Sequence, residues 1–321
     1  MIEINHLVKK YGDHYAVKDL SFQVEKGQIY GFLGPNGAGK STTMNIVTGY
    51  LAPTSGEVKV GGIDIMKDAE NAKKKIGYLP EIPPVYPEMT VEEYMTFAAE
   101  LKKIPKKDRK RAVLDACQMT GILEVQHRLI GNLSKGYKQR VGLAQAVLGG
   151  PEIIILDEPT VGLDPKQIIE IRELILSLKE KHTVILSSHI LSEVSAVCDQ
   201  ILILSKGELV ASDTPEALQK RMQKQSDICV TVRGEKENLL QIVNGMDGVE
   251  AVRVIKESCD DGSGEVEISI TQMADCDIRE ELFYKLAENR MPIMNLHADT
   301  KSLEDIFLQL TEEEHNNDSD I

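Results

Sequence analysis

The feature that most constrains this sequence is a glycine-rich segment at residues 34–42. It follows the apolar run 29–33 and precedes a stretch that predicts a helix over 42–48, the strand-to-helix context required by the pattern GxxxxGK[ST]. Glycines let the backbone curl until several N–H groups point at one anion, and the helix start adds its positive dipole end. The segment therefore predicts a phosphate-binding loop, whose residues are Gly34, Pro35, Asn36, Gly37, Ala38, Gly39, Lys40, Ser41 and Thr42.

A pair of acidic residues gives this loop a chemical partner. Asp157 and Glu158 directly follow the aliphatic run 153–156, so we expect a strand end to hold both carboxylates near the loop. Lys40 can then reach the β- and γ-phosphates of a nucleotide, while Ser41 and Asp157 can hold Mg²⁺. Glu158 can polarise the attacking water as a general base. The two motifs together predict a nucleotide-hydrolysing site.

The order of apolar runs predicts the fold class. Fully apolar runs at 29–33, 153–156, 183–188 and 201–204 alternate with helical stretches, which indicates an α/β domain with a covered, mainly parallel sheet. Residues 82–150 have helical spacing and many charges, and we interpret them as an inserted helical subdomain. We expect this first domain to cover 1–220.

A second, smaller domain is predicted beyond a polar linker at 219–227. Its strands at 228–232, 249–255, 266–270 and 292–296, with helices at 236–243 and 278–288, give the order βαββαβ of a ferredoxin-like α+β domain over 228–311. A last helix is expected at 302–310. Residues 312–321 are acidic and poor in apolar side chains, which predicts a disordered tail.

Composition narrows the function classes. The formal net charge is −14, which argues against a general nucleic-acid surface because such a surface needs a basic face. The five cysteines are scattered without a CxxC pair, so neither a zinc site nor a disulfide framework is indicated, and reduced thiols in a cytoplasmic protein are expected. No apolar run reaches the roughly 18 to 20 residues that span a bilayer. A chain like this would work at a membrane only through a partner.

A third motif completes a set that resembles a known family. Residues 133–140 read LSKGYKQR, which alone would be only a polar helix start with Ser134 as N-cap. With the two motifs above, this segment, the VGLD segment at 161–164 and His189 follow the order of nucleotide-binding subunits of ATP-binding-cassette (ABC) transporters. The resemblance covers about residues 1–220. It makes 34–42 Walker A, 153–158 Walker B, 133–140 the LSGGQ-like signature and 161–164 the D-loop, with an antiparallel β subdomain beside the sheet.

The resemblance implies an ATPase that uses ATP and Mg²⁺. Two cassettes, as a homodimer or a heterodimer, would close head to tail, so that Ser134 and Gly136 of one copy face the γ-phosphate bound by the other. Asp164 would pair across the dimer, His189 would contact the γ-phosphate, and Tyr11 would stack on adenine. A separate integral-membrane permease would hold the chain at the cytoplasmic face of the cell membrane.

Three positions depart from the family pattern. Glu81 stands where the family has glutamine; it could still bind Mg²⁺, but it adds negative charge beside the phosphates. Lys135 and Tyr137 replace a glycine and a glutamine of the signature. The segment LSKGYKQR followed by GLAQAVLG resembles the branch whose cassettes pair with separate six-helix export permeases, so export is expected.

Two other functions stay open at this point. A soluble ABC ATPase acting in translation or DNA maintenance would carry two cassettes or a long coiled coil, and neither is indicated here. A regulator that only senses nucleotide would not need the catalytic set, whereas Lys40, Asp157, Glu158 and His189 are all present.

Overall fold

A computed structural model describes residues 1–218, 227–258, 264–273 and 276–299. The chain forms two compact units, one containing Met1–Pro215 and the other starting at Glu216. Most of the predicted linker, the predicted helix at 302–310 and the predicted tail lie outside the described residues. No helix in the described ranges is both long and apolar enough to cross a membrane.

A six-stranded sheet forms the centre of the first unit. Its strands are β3 (Ile29–Leu33), β6 (Ile76–Leu79), β7 (Ile153–Leu156), β8 (Thr183–Ser188), β9 (Gln200–Ser205) and β10 (Glu208–Asp213). Their order in the sheet is β10–β9–β3–β8–β7–β6, and all neighbours are parallel except the β9–β10 hairpin. Every residue of β3, β7 and β8 is buried, because helices and a second sheet cover both faces. The prediction of a covered, mainly parallel sheet is confirmed.

A four-stranded antiparallel sheet packs against this centre. Its order is β2–β1–β4–β5, with β1 at Ile2–Tyr11, β2 at His14–Val24, β4 at Ser55–Val60 and β5 at Ile63–Asp64. Alternate side chains of these strands enter the same apolar core as the central sheet. Phe22 meets Phe32 edge to face, with ring centroids 5.3 Å apart. The antiparallel subdomain expected from the family resemblance is therefore present, and it brings the end of β1 towards the phosphate-binding loop.

Helices flank the central sheet of the first unit. Helix α1 (Lys40–Val47) starts two residues before the predicted position, because Gly39 at φ +98° is the last residue of the loop and the helix begins at the next residue. The others are α2 (Ala69–Lys74), α6 (Pro165–Leu178) and α7 (Leu191–Ser195). The Asp164 carboxylate caps α6 by accepting from the Gln167 N–H at 2.9 Å.

Three further helices lie within the segment predicted to be helical. They are α3 (Val91–Leu101), α4 (Lys106–Met119) and α5 (Lys135–Val147). Thr90 and Glu93 form a capping box at the start of α3, and Ser134 caps α5. The Lys102 ammonium donates to the carbonyls of Gln145, Ala146 and Leu148 at 2.7–3.1 Å, which ties the end of α3 to the end of α5.

The second unit has the βαββαβ order predicted for it. Its strands β11 (Asp227–Arg233), β12 (Val249–Ser258), β13 (Glu265–Gln272) and β14 (Ile293–Asp299) form an antiparallel sheet in the order β12–β13–β11–β14. Helices α8 (Lys236–Asn244) and α9 (Arg279–Glu288) cover one face through a core that includes Leu239 and Leu282. This is the ferredoxin-like arrangement expected from the sequence.

Candidate nucleotide site

The phosphate-binding loop lies between the end of β3 and the start of α1. Gly34 and Gly39 are required by space, since a Cβ atom at either would lie 2.5 Å from a backbone carbonyl oxygen. Lys40 is only 6% exposed, and its ammonium donates to the carbonyl oxygens of Gly34 at 2.6 Å and Pro35 at 3.3 Å. The loop thus curls around its own lysine.

Asp157 connects this loop to β8. Its Oδ1 accepts from the Ser41 hydroxyl at 3.2 Å and from the Ser187 hydroxyl at 2.6 Å. The Ser187 hydroxyl in turn accepts from the backbone N–H of Glu158 at 2.8 Å. One serine therefore fixes the carboxylate of one acid and the backbone of the next.

Glu158 occupies an unusual backbone conformation. Its φ of +47° is left-handed, a region that non-glycine residues seldom adopt and that is often found at functional sites. Its carboxylate is 10% exposed; Oε1 lies 3.5 Å from the Lys40 ammonium and Oε2 lies 3.0 Å from His189 Nδ1. The acid is therefore held between a cation and an imidazole.

These residues line one cleft, which we call the P-loop cleft. It is bounded by the loop residues Pro35 to Thr42 except Ala38, and by Tyr11, His14, Ala16, Glu81, Glu158, Val161 and His189. Tyr11 is 49% exposed at the end of β1, with the Lys9 ammonium 5.1 Å from its ring centroid. Glu81 is exposed in the same cleft. The structure thus brings together most of the residues that the sequence indicated.

Ser134, Gly136 and Asp164 line a different cleft, which we call the signature cleft. It shares no lining residue with the P-loop cleft. Ser134 accepts from the Tyr137 N–H at 3.4 Å as the N-cap of α5. Gly136 is buried, and a Cβ atom there would lie 2.8 Å from Cδ of Gln167. The residues indicated by the sequence therefore fall into two separate groups within one copy of the chain.

The two signature substitutions make contacts within the chain. The Lys135 side chain lies across Gly162, where a Cβ atom would be 2.2 Å from its Nζ. The Tyr137 hydroxyl donates to the Glu124 carboxylate, and this raises the pKa of Tyr137. Ser134 itself is exposed.

Buried groups that no motif indicated also support the P-loop cleft. Ser187 is fully buried, and Glu193 is 7% exposed and bonded to Thr160 and Ser188. Burial, with the charge of Asp157 added, raises the pKa of Tyr78 to about 12, so its hydroxyl stays protonated. The only signal in the sequence was the pair of serines at the end of an otherwise apolar strand, before His189.

Comparisons with known proteins agree with this geometry. The model of the ABC transporter family matches residues 17–161. The chain is 33% identical over 312 residues to the linearmycin resistance ATP-binding protein LnrL of Bacillus subtilis, covering 97% of this chain and 98% of that protein. It is 40% identical over 226 residues to the bacitracin transport ATP-binding protein BcrA of Bacillus licheniformis, covering 70% of this chain and 73% of that protein.

A solved structure gives the same result for the fold. It is the dimeric structure of a post-hydrolysis state of an ATP-binding cassette bound to ADP and Pi, 27% identical with a TM-score of 0.60. The match covers 67% of this chain and 98% of that chain.

Proposed function

We propose that two copies of this chain close head to tail around two ATP molecules. The proposal starts from the fact that the chain belongs to the ABC transporter family, as the ATP-binding, ATP-hydrolysing subunit of such a transporter. The observation that carries this proposal is the division of the site residues between two clefts. Lys40 and Ser41 share one cleft with Glu158 and His189, whereas Ser134 lies in the other. A second copy would supply the missing half of each site.

The P-loop cleft would bind the nucleotide of its own copy. The loop N–H groups and Lys40 would hold the phosphates, and the exposed ring of Tyr11 would stack on the adenine. Binding of phosphate would draw Lys40 from the loop carbonyls that it contacts now. The buried ammonium would exchange carbonyl oxygens for phosphate oxygens and so keep hydrogen-bond acceptors throughout.

The same cleft fits a magnesium ion in its chemistry. Hard oxygens of Ser41 and Asp157 converge at 3.2 Å, and Glu81 stands in the same cleft. Among the described residues no group of three acidic, histidine or cysteine side chains forms a complete metal site. Phosphate oxygens would therefore complete the ligand set, as is usual for Mg²⁺, which would neutralise charge on the phosphates.

Glu158 would act as the general base. It would accept a proton from the attacking water as that oxygen bonds to the γ-phosphorus and the bond to the ADP oxygen breaks. His189, 3.0 Å from the same carboxylate, would contact the γ-phosphate. The Ser134 hydroxyl and the Gly136 N–H of a second copy would contact it from the other side, and Asp164 would support the pairing.

A separate membrane subunit would use this closure to move its cargo. We infer that this permease holds the chain at the cytoplasmic face of the cell membrane and that transport is export. The relatives named for linearmycin resistance and bacitracin transport support an antibiotic-like cargo. The permease, not this chain, would select the cargo.

Two variants that are each defective in one half of the site can test whether the site is composed of residues from two copies. In a Glu158→Gln background, which should trap the ATP-bound dimer, Lys40→Ala disables the P-loop half and Ser134→Arg blocks the signature half. Either variant alone should stay monomeric with saturating Mg-ATP. Mixed together, they should form a heterodimer with one intact composite site, visible by analytical ultracentrifugation. A mixture that stays monomeric while Glu158→Gln alone dimerises would contradict completion of the site by a second copy.

A further inference from the structure

A buried acid outside the motifs joins two parts of the P-loop cleft. Glu193 lies in the short helix α7 and is 7% exposed. Its Oε2 accepts from the Thr160 hydroxyl at 2.6 Å and from the Ser188 hydroxyl at 3.0 Å. We call this arrangement the Glu193 bridge. Within the described ranges these two hydroxyls are its hydrogen-bonding partners, and no cation pairs with it.

Burying this carboxylate opposes folding. A carboxylate removed from water without a cation costs several kcal/mol, and two hydroxyl donors offset only part of that cost. An apolar side chain of similar volume would fill the same space without this cost. The chemistry of its two partners therefore indicates what the carboxylate contributes.

Each hydroxyl lies close in sequence to a residue with a proposed role in hydrolysis. Thr160 follows Glu158 by two residues, and Ser188 directly precedes His189. The Ser188 hydroxyl also accepts from the N–H of Ile190 at 3.0 Å, so the backbone is fixed on both sides of His189. The bridge thus connects the loop that follows Glu158 to the end of β8, next to the imidazole of His189 that lies 3.0 Å from the Glu158 carboxylate.

We propose that Glu193 is a positioning residue for ATP hydrolysis, which holds Glu158 and His189 in register through Thr160 and Ser188. The inference rests on the proposed function of the P-loop cleft. Glu193 does not line that cleft and acts only through its two hydroxyl partners. Its loss should therefore slow hydrolysis while binding of ATP by Lys40 and the loop continues.

Three variants of the full-length chain test this role. Glu193→Ala removes both bonds, Glu193→Gln keeps the shape and one accepting oxygen, and Ser195→Ala is a matched control. The Ser195 hydroxyl is buried in the same helix and has no hydrogen-bond partner in the described part of the chain. We expect kcat for Mg-ATP to fall about 10- to 100-fold in Glu193→Ala, since displacing reacting groups by about 1 Å has effects of this size.

Two further readouts separate positioning from a general loss of structure. The KM for ATP, and the Kd for Mg-ATP measured by calorimetry, should change by less than about threefold, because the P-loop contacts are untouched. Glu193→Gln should recover most of the lost kcat, and Thr160→Val should lower kcat in the same direction as Glu193→Ala. Ser195→Ala should match the wild type.

Two outcomes would overturn the role of Glu193. One is a wild-type kcat in Glu193→Ala. The other is a fractional loss of kcat that is no larger than the fraction of the protein that urea titrations show to be unfolded under the assay conditions. Lys40→Ala run in parallel distinguishes this failure from failure of the proposed function. If Lys40→Ala is inactive while Glu193→Ala is fully active, the proposed role of Glu193 is wrong and the proposed nucleotide site is supported. If Lys40→Ala keeps wild-type turnover, the site itself is wrong and the bridge fails with it.

Discussion

The P-loop cleft and the signature cleft belong to the same unit, but their polar groups are partnered in opposite ways. Lys40, Asp157 and Glu158 are all buried. The Lys40 ammonium pairs with the Glu158 carboxylate, and Asp157 accepts from the hydroxyls of Ser41 and Ser187. In the signature cleft, Ser134 and Asp164 are exposed, and each caps only the helix that it starts.

This difference indicates which half of the site is organised before ligand binds. A buried network of charges and hydroxyls holds its geometry without ligand, which is what electrostatic preorganisation requires. An exposed N-cap leaves the second lone pair of its oxygen open to a partner. Substitutions in the P-loop cleft should therefore affect both folding and chemistry, whereas those in the signature cleft should affect assembly, and turnover through assembly, without affecting folding.

The largest effect is expected for Lys40→Ala. Turnover of Mg-ATP should fall by more than about 100-fold, because the phosphates lose their cation. The free energy of unfolding should fall by about 1–3 kcal/mol, because the carbonyl of Gly34 and the carboxylate of Glu158 lose a buried partner. A steady-state phosphate-release assay and urea denaturation measure the two effects.

Lys18→Ala is the control for this change. Lys18 is exposed and pairs with Glu208 at 3.3 Å, a type of contact that contributes less than about 1 kcal/mol. Its removal should leave turnover unchanged. A Lys40→Ala chain as stable as Lys18→Ala would break the contrast between a buried and an exposed network.

Ser187→Ala should have the next largest effect. It removes the donor to Asp157 and the acceptor for the Glu158 N–H together, so we expect kcat to fall about tenfold and stability to fall by about 1–2 kcal/mol. Ser177→Ala is a fair comparison, because that hydroxyl only donates to the Leu174 carbonyl within α6. Equal kcat for the two variants would show that Ser187 has no role in aligning the acids.

Gly136→Ala probes the signature cleft. The added Cβ would meet the end of the flexible Gln167 side chain, which can move, and alanine favours a helix over glycine. Stability should therefore stay the same or rise slightly, and binding of Mg-ATP to one copy should not change. In a Glu158→Gln background the ATP-dependent dimer should weaken about tenfold, or about 1.4 kcal/mol, by sedimentation equilibrium. An unweakened dimer would mean that this helix start does not meet the second copy.

The sequence predicted the sheet well because its signal was local. Runs such as 153–156 and 183–188 are apolar or uncharged throughout, and in the structure each of their residues is buried. The start of α1 was predicted two residues late, since no periodicity marks the point where Gly39 passes from loop to helix. The five-residue helix α7 was not predicted, because so short a segment has too few residues to show a period.

The site was predicted only where a motif names its members. Spacing identified Lys40, Ser41 and the acid pair, but it did not indicate Ser187 or Glu193. Their roles depend on distances across the fold. Thr160 and Glu193 are 33 positions apart in sequence, whereas Thr160 Oγ1 lies 2.6 Å from Glu193 Oε2. A hydroxyl at the end of a strand has no pattern of its own until the strand beside it is known.

Lys102 anchors the far end of α5, the helix whose start forms the signature cleft, and its effect should appear only as pH changes. Burial lowers the pKa of Lys102 to about 8, well below that of the same lysine in an unfolded chain. Between this pH and about 10.5 the unfolded chain holds a proton that the folded chain has released, so the free energy of unfolding rises with pH. Relative to Lys102→Met, which has no such proton, the wild type should gain about 1.4 kcal/mol from pH 7 to pH 9.

Urea titrations of both chains at three pH values measure this slope. A rising difference would show that α5 is held at its far end by a desolvated charge, which sharpens the contrast with its exposed start at Ser134. Parallel stability curves would show instead that the ammonium remains protonated in the folded chain, held by its three carbonyl acceptors. In that case a charged ammonium would anchor the end of α5 over the whole pH range, and the two ends of α5 would differ only in exposure.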